Sequence, residues 1–377
     1  MLKLFISSEN DAHVVIFDFH KGVKHPFIPI REVGNCFSQL PKEVMKMKGI
    51  IVGASLISEQ HCEAYLINDI EIYGICDKKV ETAEKMAEKY APNAKIYNDF
   101  EKILDEDVDF ITICTPSGTH AELAIKVMKA GKHAVVEKPI ALTPEDCDRI
   151  IATEAETGKV CVPIAQLRFS DTFTKVKSAF ESEEFGQPIM ASLSMKYFRS
   201  REYYAGSWHG SKTMDGGEMM NQGIHGIDMM CGIIGKPVSV SGKVDTKYHD
   251  IEAEDTAVAC IEFENGMFAV LDSSTALPNS KPRRLELNGT KGFIAIHEAT
   301  IAEADNVNLE ASADLNFKGN DDPKSIGPQL HGEIYKSFIS HIIKGTPMHY
   351  TAEDASVAVK LICAINESSE KGCAIKL

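Results

Sequence analysis

Long apolar segments are absent from this sequence of 377 residues. No stretch reaches the roughly 18 consecutive apolar residues that a membrane-spanning helix needs, so the sequence predicts no transmembrane segment. The first residues, MLKLFISSENDAH, also lack the basic start, the apolar centre and the small-residue cleavage site of a secretory signal. We therefore expect a cytoplasmic protein.

The sequence also lacks an excess of basic residues, and it lacks closely spaced cysteine pairs. The formal net charge is −15 at pH 7, which argues against a nucleic-acid or anionic-membrane partner because phosphates attract Lys and Arg clusters. An anionic cofactor remains compatible with this charge, since backbone N–H groups can bind a phosphate locally. The ten cysteines form no CxxC pair and lie mostly in apolar runs such as YGIC, so we expect reduced core thiols.

Residues 47–168 alternate between predicted strands and predicted helices. The strand segments are GIIVGA, IEIYGIC, VDFITICT, HAVV and KVCVPIA, and the helical segments include KKVETAEKMAEKY, HAELAIKVMKA and EDCDRIIATEAETG. Strands separated by helices are typical of a doubly wound parallel sheet with helices on both faces. The sequence predicts an N-terminal Rossmann domain over 47–168 in an α/β protein.

Residues 169–377 follow a different pattern. The segments SVSGKVDT, TAVACIEF, MFAVLDSST, RRLELNGT and FIAIHEA are separated by short polar turns, which indicates a mainly antiparallel open sheet. With the final helical segment, AEDASVAVKLICAINESSEKG, they predict an α+β domain for substrate binding and oligomerisation. A homodimer or homotetramer is expected, because an apolar outer sheet face needs a cover.

The first 46 residues belong to neither predicted domain. They contain the apolar patch HVVIFDF and then irregular sequence rich in Pro and Gly, whereas MKMKGIIVGA resembles the ordinary start of a dinucleotide-binding domain. The codons of residues 42–44 can contain a ribosome-binding sequence just before Met45 and Met47. Two hypotheses follow: a translated leader with the native start at Met45 or Met47, or an arm that packs on a neighbouring subunit.

The turn after the first strand of the Rossmann domain, VGASLISEQH, is a candidate dinucleotide-binding turn. The glycine slots of the G-x-G-x-x-G pattern hold Gly53, Ser55 and Ser58, so only the first glycine is present. A strand precedes the turn and a helix can follow it. We therefore expect this turn to bind a pyrophosphate through Gly53, Ser55, Leu56 and Ile57.

Asp77 ends the second strand and is a candidate ribose ligand. A carboxylate there can accept hydrogen bonds from ribose hydroxyls and would repel a 2′-phosphate. Lys78 and Lys79 lie beside it and could pair with that phosphate, and a solvated strand end is the alternative interpretation of Asp77. The sequence predicts NAD as the cofactor, with NADP less favoured.

The third and fourth strands end in polar residues at the same sheet edge, where open α/β sheets bind ligands. CTPSGTH would bring Thr115 and Pro116 to the middle of the cofactor, while His120 either contacts the cofactor or caps the next helix. Glu137 and Lys138 of VVEKP follow the fourth strand. Lys138 could stabilise an oxyanion as a hydride leaves, or simply pair with Glu137.

The segment DGGEMMNQGIHGIDMMCGIIG has the pattern of a helix that forms one wall of a cleft. Asn221, His225 and Asp228 recur at helical spacing beside an apolar stripe. A metal site with these ligands lacks support from a His pair or a Cys set, so no metal is predicted. An ordinary amphipathic helix with a hydrated face is the other alternative. The apolar stripe consists of Met220, Ile224, Ile227, Cys231 and Ile234.

Taken together, these motifs resemble the Gfo/Idh/MocA family of nicotinamide-dependent sugar and cyclitol oxidoreductases, over about residues 47–377. The resemblance is carried by AGKHAVVEKP, by GG…NQGIHGID and by EDTAVACIEFENG. It implies that Lys138 and His225 are catalytic. Many members have Asp four residues before that histidine, whereas Asn221 cannot take a proton and should only orient substrate. Ser55 in place of a glycine puts the usual close contact with the pyrophosphate in doubt.

The segment YYAGSW…NQGIHGID resembles the branch of the family that acts on pyranosides and sugar nucleotides. The leading expectation is an NAD-dependent dehydrogenase that oxidises a secondary hydroxyl, with C3 as one candidate, of a pyranose-type sugar, glycoside or sugar nucleotide to a ketone. His225 would be the general base and Lys138 would polarise the hydroxyl. Arg168 could equally be a structural salt-bridge residue. The residues expected to hold the substrate ring are Asn221, Asp228, Arg168 and Tyr197.

Three alternatives remain open from the sequence. One is redox-assisted glycoside cleavage with tightly bound NAD, and another is inositol dehydrogenation. The third is a non-catalytic NAD-binding sensor, which is disfavoured because such proteins usually lose the lysine and histidine that are present here as Lys138 and His225.

Overall fold

The structure is a computed structural model that describes residues 2–7, 13–18, 23–24, 28–29, 46–182, 184–311 and 327–377. The chain divides into two compact units, Met1–Lys46 and Met47–Leu377. In the first unit, a central strand pairs antiparallel with three others. The strands are β1 (Leu2–Ser7), β2 (His13–Asp18), β3 (Val23–Lys24) and β4 (Ile28–Pro29), with β2 central. The leader and the arm hypotheses both stay predictions.

The second unit begins with a six-stranded parallel sheet. Its strands are β5 (Lys48–Val52), β6 (Glu71–Cys76), β7 (Lys95–Tyr97), β8 (Phe110–Ile113), β9 (His133–Val136) and β10 (Cys161–Pro163). They lie in the order β10-β9-β8-β5-β6-β7, so the direction of winding reverses between β5 and β8. β8 is buried at every residue, as expected for a strand covered on both faces. The predicted Rossmann fold is confirmed.

Five helices accompany this sheet. They are α1 (Leu56–Ile67), α2 (Val80–Tyr90), α3 (Phe100–Ile103), α4 (His120–Lys129) and α5 (Pro144–Thr157). α5 shows why the sequence forms a helix here, because Thr143 Oγ1 accepts the Asp146 N–H at 3.1 Å and Pro144 occupies the first turn. Gly158 ends the helix in the left-handed conformation with φ 65°.

A second, eight-stranded sheet follows. Its strands are β11 (Pro188–Lys196), β12 (Pro237–Asp245), β13 (Thr256–Phe263), β14 (Phe268–Ser274), β15 (Arg284–Gly289), β16 (Phe293–His297), β17 (Thr300–Asp305) and β18 (Ile375–Lys376). The order is β17-β16-β15-β11-β14-β13-β12-β18. Every ladder in it is antiparallel except that between β11 and β14, so the prediction of a mainly antiparallel sheet is confirmed.

Five further helices follow β10 in the described part of the chain. They are α6 (Asp171–Glu181), α7 (Arg201–Tyr204), α8 (Ile224–Ile234), α9 (Gln329–Lys344) and α10 (Ala352–Lys371). A π-helical turn, Met219–Gly223, leads directly into α8. α9 follows the second sheet in sequence but packs on the first, where Phe338 contacts Phe110 with ring centroids 5.3 Å apart. The core of the Rossmann domain is therefore completed by a helix from the end of the chain.

The expectations of reduced cysteines and of no transmembrane segment can be compared with the described residues. All nine cysteines in them are free, and Cys62, Cys76, Cys114, Cys147, Cys161 and Cys231 are buried. Cys36 lies outside the described residues. No helix in the described part of the chain has the length and apolar character needed to cross a membrane.

Candidate active site

A cleft of about 1180 Å³ lies at the carboxyl edge of the parallel sheet. One wall is formed by the residues that follow β5, β6, β8 and β9, and the opposite wall by the start of α8 and the segment around α7. This volume exceeds the roughly 300–1,000 Å³ of a typical pocket for one drug-sized ligand. The cleft has room for a dinucleotide and a second small molecule.

The turn between β5 and α1 brings backbone to the cleft. Gly53 has φ +90°, and a Cβ there would lie 2.6 Å from the carbonyl oxygen of Cys114, so the turn requires glycine. Ser55 is the N-cap of α1, and both Ser55 and Ile57 line the cleft. Leu56 is 59% exposed and is not among the described residues that line it. The open end of α1 offers backbone N–H groups to an anion.

Asp77 lines the cleft at the end of β6 and supports this turn. Its Oδ2 accepts the Ala54 N–H at 2.7 Å, and its Oδ1 accepts the Lys79 N–H at 2.7 Å. Lys78 also lines the cleft. The Asp77 carboxylate therefore lies between the end of β6 and the turn that joins β5 to α1.

Thr115, Pro116 and His120 line the cleft after β8. The His120 ring is buried, with Nδ1 2.7 Å from the carbonyl oxygen of Pro139 and Nε2 2.8 Å from that of Thr115. Burial lowers the pKa of His120, so the neutral ring can donate to one of the two oxygens. His120 therefore connects the loops that follow β8 and β9.

Lys138 reaches from the end of β9 to the opposite wall. Its Nζ donates to the backbone carbonyl of Asn221 at 2.5 Å and lies 3.4 Å from the Asn221 Oδ1. Burial lowers the pKa of Lys138, although the nearby carboxylates of Glu137 and Asp215 raise it. The lysine faces the cleft and is not part of the sheet interior.

His225 lines the same cleft at the start of α8. Burial lowers its pKa well below the ordinary value, and the positive charges of Lys138 and Arg283 lower it further. The imidazole is therefore neutral near neutral pH, the form that can accept a proton.

The carboxylate of Glu137 is surrounded by protein donors. Its Oε1 lies 2.9 Å from His61 Nε2 and 3.6 Å from His331 Nε2, and its Oε2 accepts the Lys138 N–H at 3.0 Å. Burial raises the pKa of Glu137, but the contacts with His331 and His61 outweigh burial and hold it well below its ordinary value. The ligand atoms of His61, Glu137 and His331 lie within 4.8 Å of one another, so these three residues could hold a metal ion.

Three residues expected to bind substrate lie elsewhere. Arg168 donates from Nε and Nη2 to Asp228 at 2.7 and 2.9 Å, and the Tyr350 hydroxyl donates to the same carboxylate at 2.7 Å. Tyr197 is 1% exposed. Arg168, Asp228 and Tyr197 are not among the described residues that line the main cleft. Arg168 and Asp228 form a buried ion pair with each other, and the Tyr197 side chain points into the core.

Several lining residues were not predicted. Trp208 stacks on His209 with ring centroids 4.0 Å apart, and Tyr203 lies 4.2 Å from the His209 ring. Arg283 donates to Glu298 at 2.7 Å, and both line the cleft. These aromatic residues lie in a segment without helical or strand periodicity. In the sequence, only the clustering of aromatic residues in YYAGSWH could have indicated that they line the cleft.

Comparisons with known proteins agree with this architecture. Residues 47–164 match the family model described as "Oxidoreductase family, NAD-binding Rossmann fold", and residues 173–295 match "GFO/IDH/MocA C-terminal domain". Myo-inositol 2-dehydrogenase of Thermotoga maritima is 28% identical over 344 residues, which cover 87% of this chain and 97% of that protein. D-glucoside 3-dehydrogenase of Escherichia coli is 25% identical over 350 residues, covering 87% and 96%.

A solved structure is similar over almost the same span. The WlbA dehydrogenase of Bordetella pertussis, in complex with NADH and UDP-GlcNAcA, has a TM-score of 0.78 and 26% identity, covering 88% of this chain and 99% of that one. The two matched models together span more than half of the chain, and the two relatives, both named dehydrogenases, are matched over nearly their whole length. The chain belongs to the Gfo/Idh/MocA family of NAD-binding oxidoreductases and is a dehydrogenase that acts on CH–OH groups.

Proposed function

We propose that this protein oxidises a secondary hydroxyl of a pyranose-type sugar, glycoside or sugar nucleotide to a ketone, with NAD as the hydride acceptor. The observation that carries the proposal is the meeting of Lys138 and His225 at one cleft, the first from the end of β9 and the second from α8. Lys138 also contacts Asn221, one helical turn before His225.

The residues at the sheet edge fit NAD. Gly53 allows the turn to pass close to the Cys114 carbonyl, where a Cβ would collide, and the turn leads into the N-terminus of α1, which can bind a pyrophosphate. Asp77 would accept hydrogen bonds from the adenosine ribose hydroxyls and would repel a 2′-phosphate. Thr115 and Pro116 would contact the middle of the cofactor.

The chemistry requires one proton acceptor and one cationic donor. The neutral His225 imidazole takes the proton of the substrate hydroxyl as general base. The Lys138 ammonium donates a hydrogen bond to the same oxygen and stabilises the negative charge that develops on it. When bound, NAD accepts the hydride from the carbinol carbon, so the products are the ketone, NADH and a protonated His225.

A sugar ring suits the substrate end of the cleft. Tyr203, Trp208 and His209 present an aromatic group to the cleft, and such faces pack on the apolar side of a pyranose. The relative from Escherichia coli is named a glucoside dehydrogenase, and the structure from Bordetella pertussis holds a sugar nucleotide. Both support a pyranoside as the substrate class.

A cyclitol is the second candidate. The relative from Thermotoga maritima, which is 28% identical over 87% of this chain, is named a myo-inositol 2-dehydrogenase. A polyhydroxylated cyclohexane presents the same kind of secondary hydroxyl to Lys138 and His225, so the proposed acid–base chemistry would serve either ring.

The test is NADH formation from NAD with methyl β-D-glucopyranoside, UDP-GlcNAcA and myo-inositol, each compared with a reaction without substrate. Oxidation of a pyranoside supports the proposal, and oxidation of myo-inositol alone supports the second candidate. Methanol released from the glycoside without net NADH would instead indicate redox-assisted cleavage. No turnover of any compound would contradict the proposed function.

The second sheet supports self-association. Met190, Phe268, Val258 and Val270 are between 41% and 60% exposed on its outer face. An apolar face of this kind suits the same face of another copy, so we propose a homodimer or homotetramer.

A further inference from the structure

The side chain of Asn221 is held by a buried carboxylate. Its Nδ2 donates to Asp215 Oδ1 at 2.5 Å, and its Oδ1 lies 3.4 Å from Lys138 Nζ. Asp215 is 2% exposed. The hydrogen bond from the amide nitrogen to Asp215 therefore fixes the amide oxygen on the side of Lys138.

Backbone contacts fix Asp215 in turn. Its Oδ2 accepts the Gly210 N–H at 2.6 Å, and its own N–H donates to the Ser211 carbonyl at 3.1 Å. The Asn221 N–H donates to the Gly217 carbonyl at 3.0 Å, at the start of the π-helical turn. The carboxylate and the amide thus belong to one closely bonded segment.

Asp215 contributes negative charge on the substrate side of Lys138. Burial raises the pKa of Asp215 to about 6, so the carboxylate is mostly ionised at neutral pH. Glu137, the other carboxylate acting on Lys138, already contacts His61 and His331. The charged or titratable groups that act electrostatically with Lys138 are Glu137, Asp215, Arg199, His120, His209 and His225.

We propose that Asp215 is the positioning residue for Lys138, acting through the amide of Asn221. It supplies the negative charge that an amide lacks and keeps the ammonium at the cleft. This inference rests on the proposed function, in which the Lys138 ammonium stabilises the developing oxyanion.

A reciprocal exchange of the two side chains tests this role. Asp215→Asn removes the charge but keeps an acceptor for the Gly210 N–H. In Asp215→Asn/Asn221→Asp, donor and acceptor of the same hydrogen bond are exchanged, and the carboxylate now adjoins Lys138. Recovery in the exchanged variant shows that the two side chains act as a pair, and the comparison of kcat with KM shows whether they act on the chemical step.

Turnover is measured with the compound of the substrate panel that the wild type oxidises fastest. Asp215→Asn should lower kcat about 10- to 100-fold, the range for loss of a hydrogen bond to a charged group, with KM changed less than about threefold. The exchanged double variant should recover to within about threefold of the wild type. Glu218→Gln is the matched control, because it converts another buried carboxyl group, bonded to Ser273, to an amide and should leave kcat unchanged.

Wild-type kcat in Asp215→Asn would overturn the inference, as would an exchanged variant that keeps the full defect. If Asp215→Asn does not fold, wild-type kcat in Asn221→Ala, which removes the amide through which Asp215 acts, has the same meaning. Normal turnover by Lys138→Met would instead reject the proposed function, and no turnover by the wild type would reject both the proposed function and this inference.

Discussion

The proposed mechanism requires a protonated Lys138 and a neutral His225 at the same substrate hydroxyl. Burial lowers the pKa of both groups, but from very different ordinary values. The carboxylates of Glu137 and Asp215 oppose the effect on the lysine, whereas the charge of Lys138 reinforces it on the histidine. The depressed pKa of His225 leaves a neutral acceptor near neutral pH, and the nearby carboxylates favour the ammonium form of Lys138.

Replacing Lys138 by Met should separate chemistry from cofactor binding. The substitution keeps the length of the side chain but removes the donor to the developing oxyanion, so kcat should fall about 10²- to 10³-fold. The dissociation constant of NAD, measured by titration, should change less than about threefold because the interaction matters most in the transition state. Near-normal turnover would reject the proposed mechanism.

Replacing His225 by Asn should alter the pH profile. In the wild type, kcat/KM should fall only when the pH drops below the depressed pKa of His225, since protonation removes the base. The variant should be about 10²- to 10⁴-fold slower and its acid limb should be flat. An acid limb unchanged by the substitution would assign that titration to another group.

Asp77 should control cofactor choice. Asp77→Ser removes the carboxylate that would repel a 2′-phosphate, so the ratio of kcat/KM for NAD to that for NADP should fall about tenfold or more, roughly 1.4 kcal/mol. Lys79→Ser is a useful comparison, because it removes a positive charge that could pair with a 2′-phosphate and keeps the backbone N–H that Asp77 accepts, so this ratio should not fall. A wild type that already prefers NADP would contradict the assignment.

Individual site residues could be predicted from the sequence where a local pattern locates them. Gly53, Lys138 and His225 stand at strand ends or at helical spacing, where periodicity alone locates them. Arg168 and Asp228 have equally suggestive positions, yet they bind each other and Tyr350, a partner far away in sequence. Short-range spacing cannot reveal such a pairing.

At the scale of elements, a buried acid, Glu218, lies just before the π-helical turn that leads into α8. Burial raises the pKa of Glu218 to about 8, with Glu254 and Asp255 adding repulsion. A carboxyl in unfolded chain has a pKa of about 4.3. Glu218 therefore contributes stability that is fully present below about pH 4 and is lost as the pH rises through about 8.

Glu218→Gln should remove this pH dependence. Gln keeps an oxygen to accept from the Ser273 hydroxyl but carries no charge, so the variant should gain stability relative to the wild type as the pH rises. We expect a Tm gain of about 2 °C or more above pH 8 and little difference near pH 5 by calorimetry. An equal Tm difference at both pH values would show that Glu218 does not titrate as described.

Some helices and strands could be predicted from the sequence and others could not. The alternation in the Rossmann domain predicted five of its six strands and three of its helices, because these are bounded by caps or breakers such as Thr143 and Gly158, whereas β7 was missed. α9 was not predicted, and its packing against Phe110 in the first sheet depends on contacts between distant parts of the chain. β11, which pairs in parallel with β14, was also missed, since PIMASLSMK mixes small and polar residues.

At the scale of the whole molecule, we expect the outer face of the second sheet to carry the proposed self-association. Phe268 is 60% exposed and lies directly opposite Met190 on the neighbouring strand. Phe268→Glu should convert the wild-type dimer or tetramer largely to monomer at micromolar concentration by light scattering, because a buried unpaired charge is costly. Leu66→Glu, at a 56% exposed position on α1, is the matched control. A monomeric wild type would contradict the prediction.

The central claim is that a secondary carbinol of a sugar or cyclitol delivers its hydride to NAD. The most direct measurement uses the best compound of the substrate panel with deuterium at every carbon-bound position, followed by mass spectrometry of the NADH formed. We predict that each NADH carries one deuterium in the wild type and that Lys138→Met forms labelled NADH far more slowly. Unlabelled NADH from the deuterated compound, or no NADH from any member of the panel, would contradict the account.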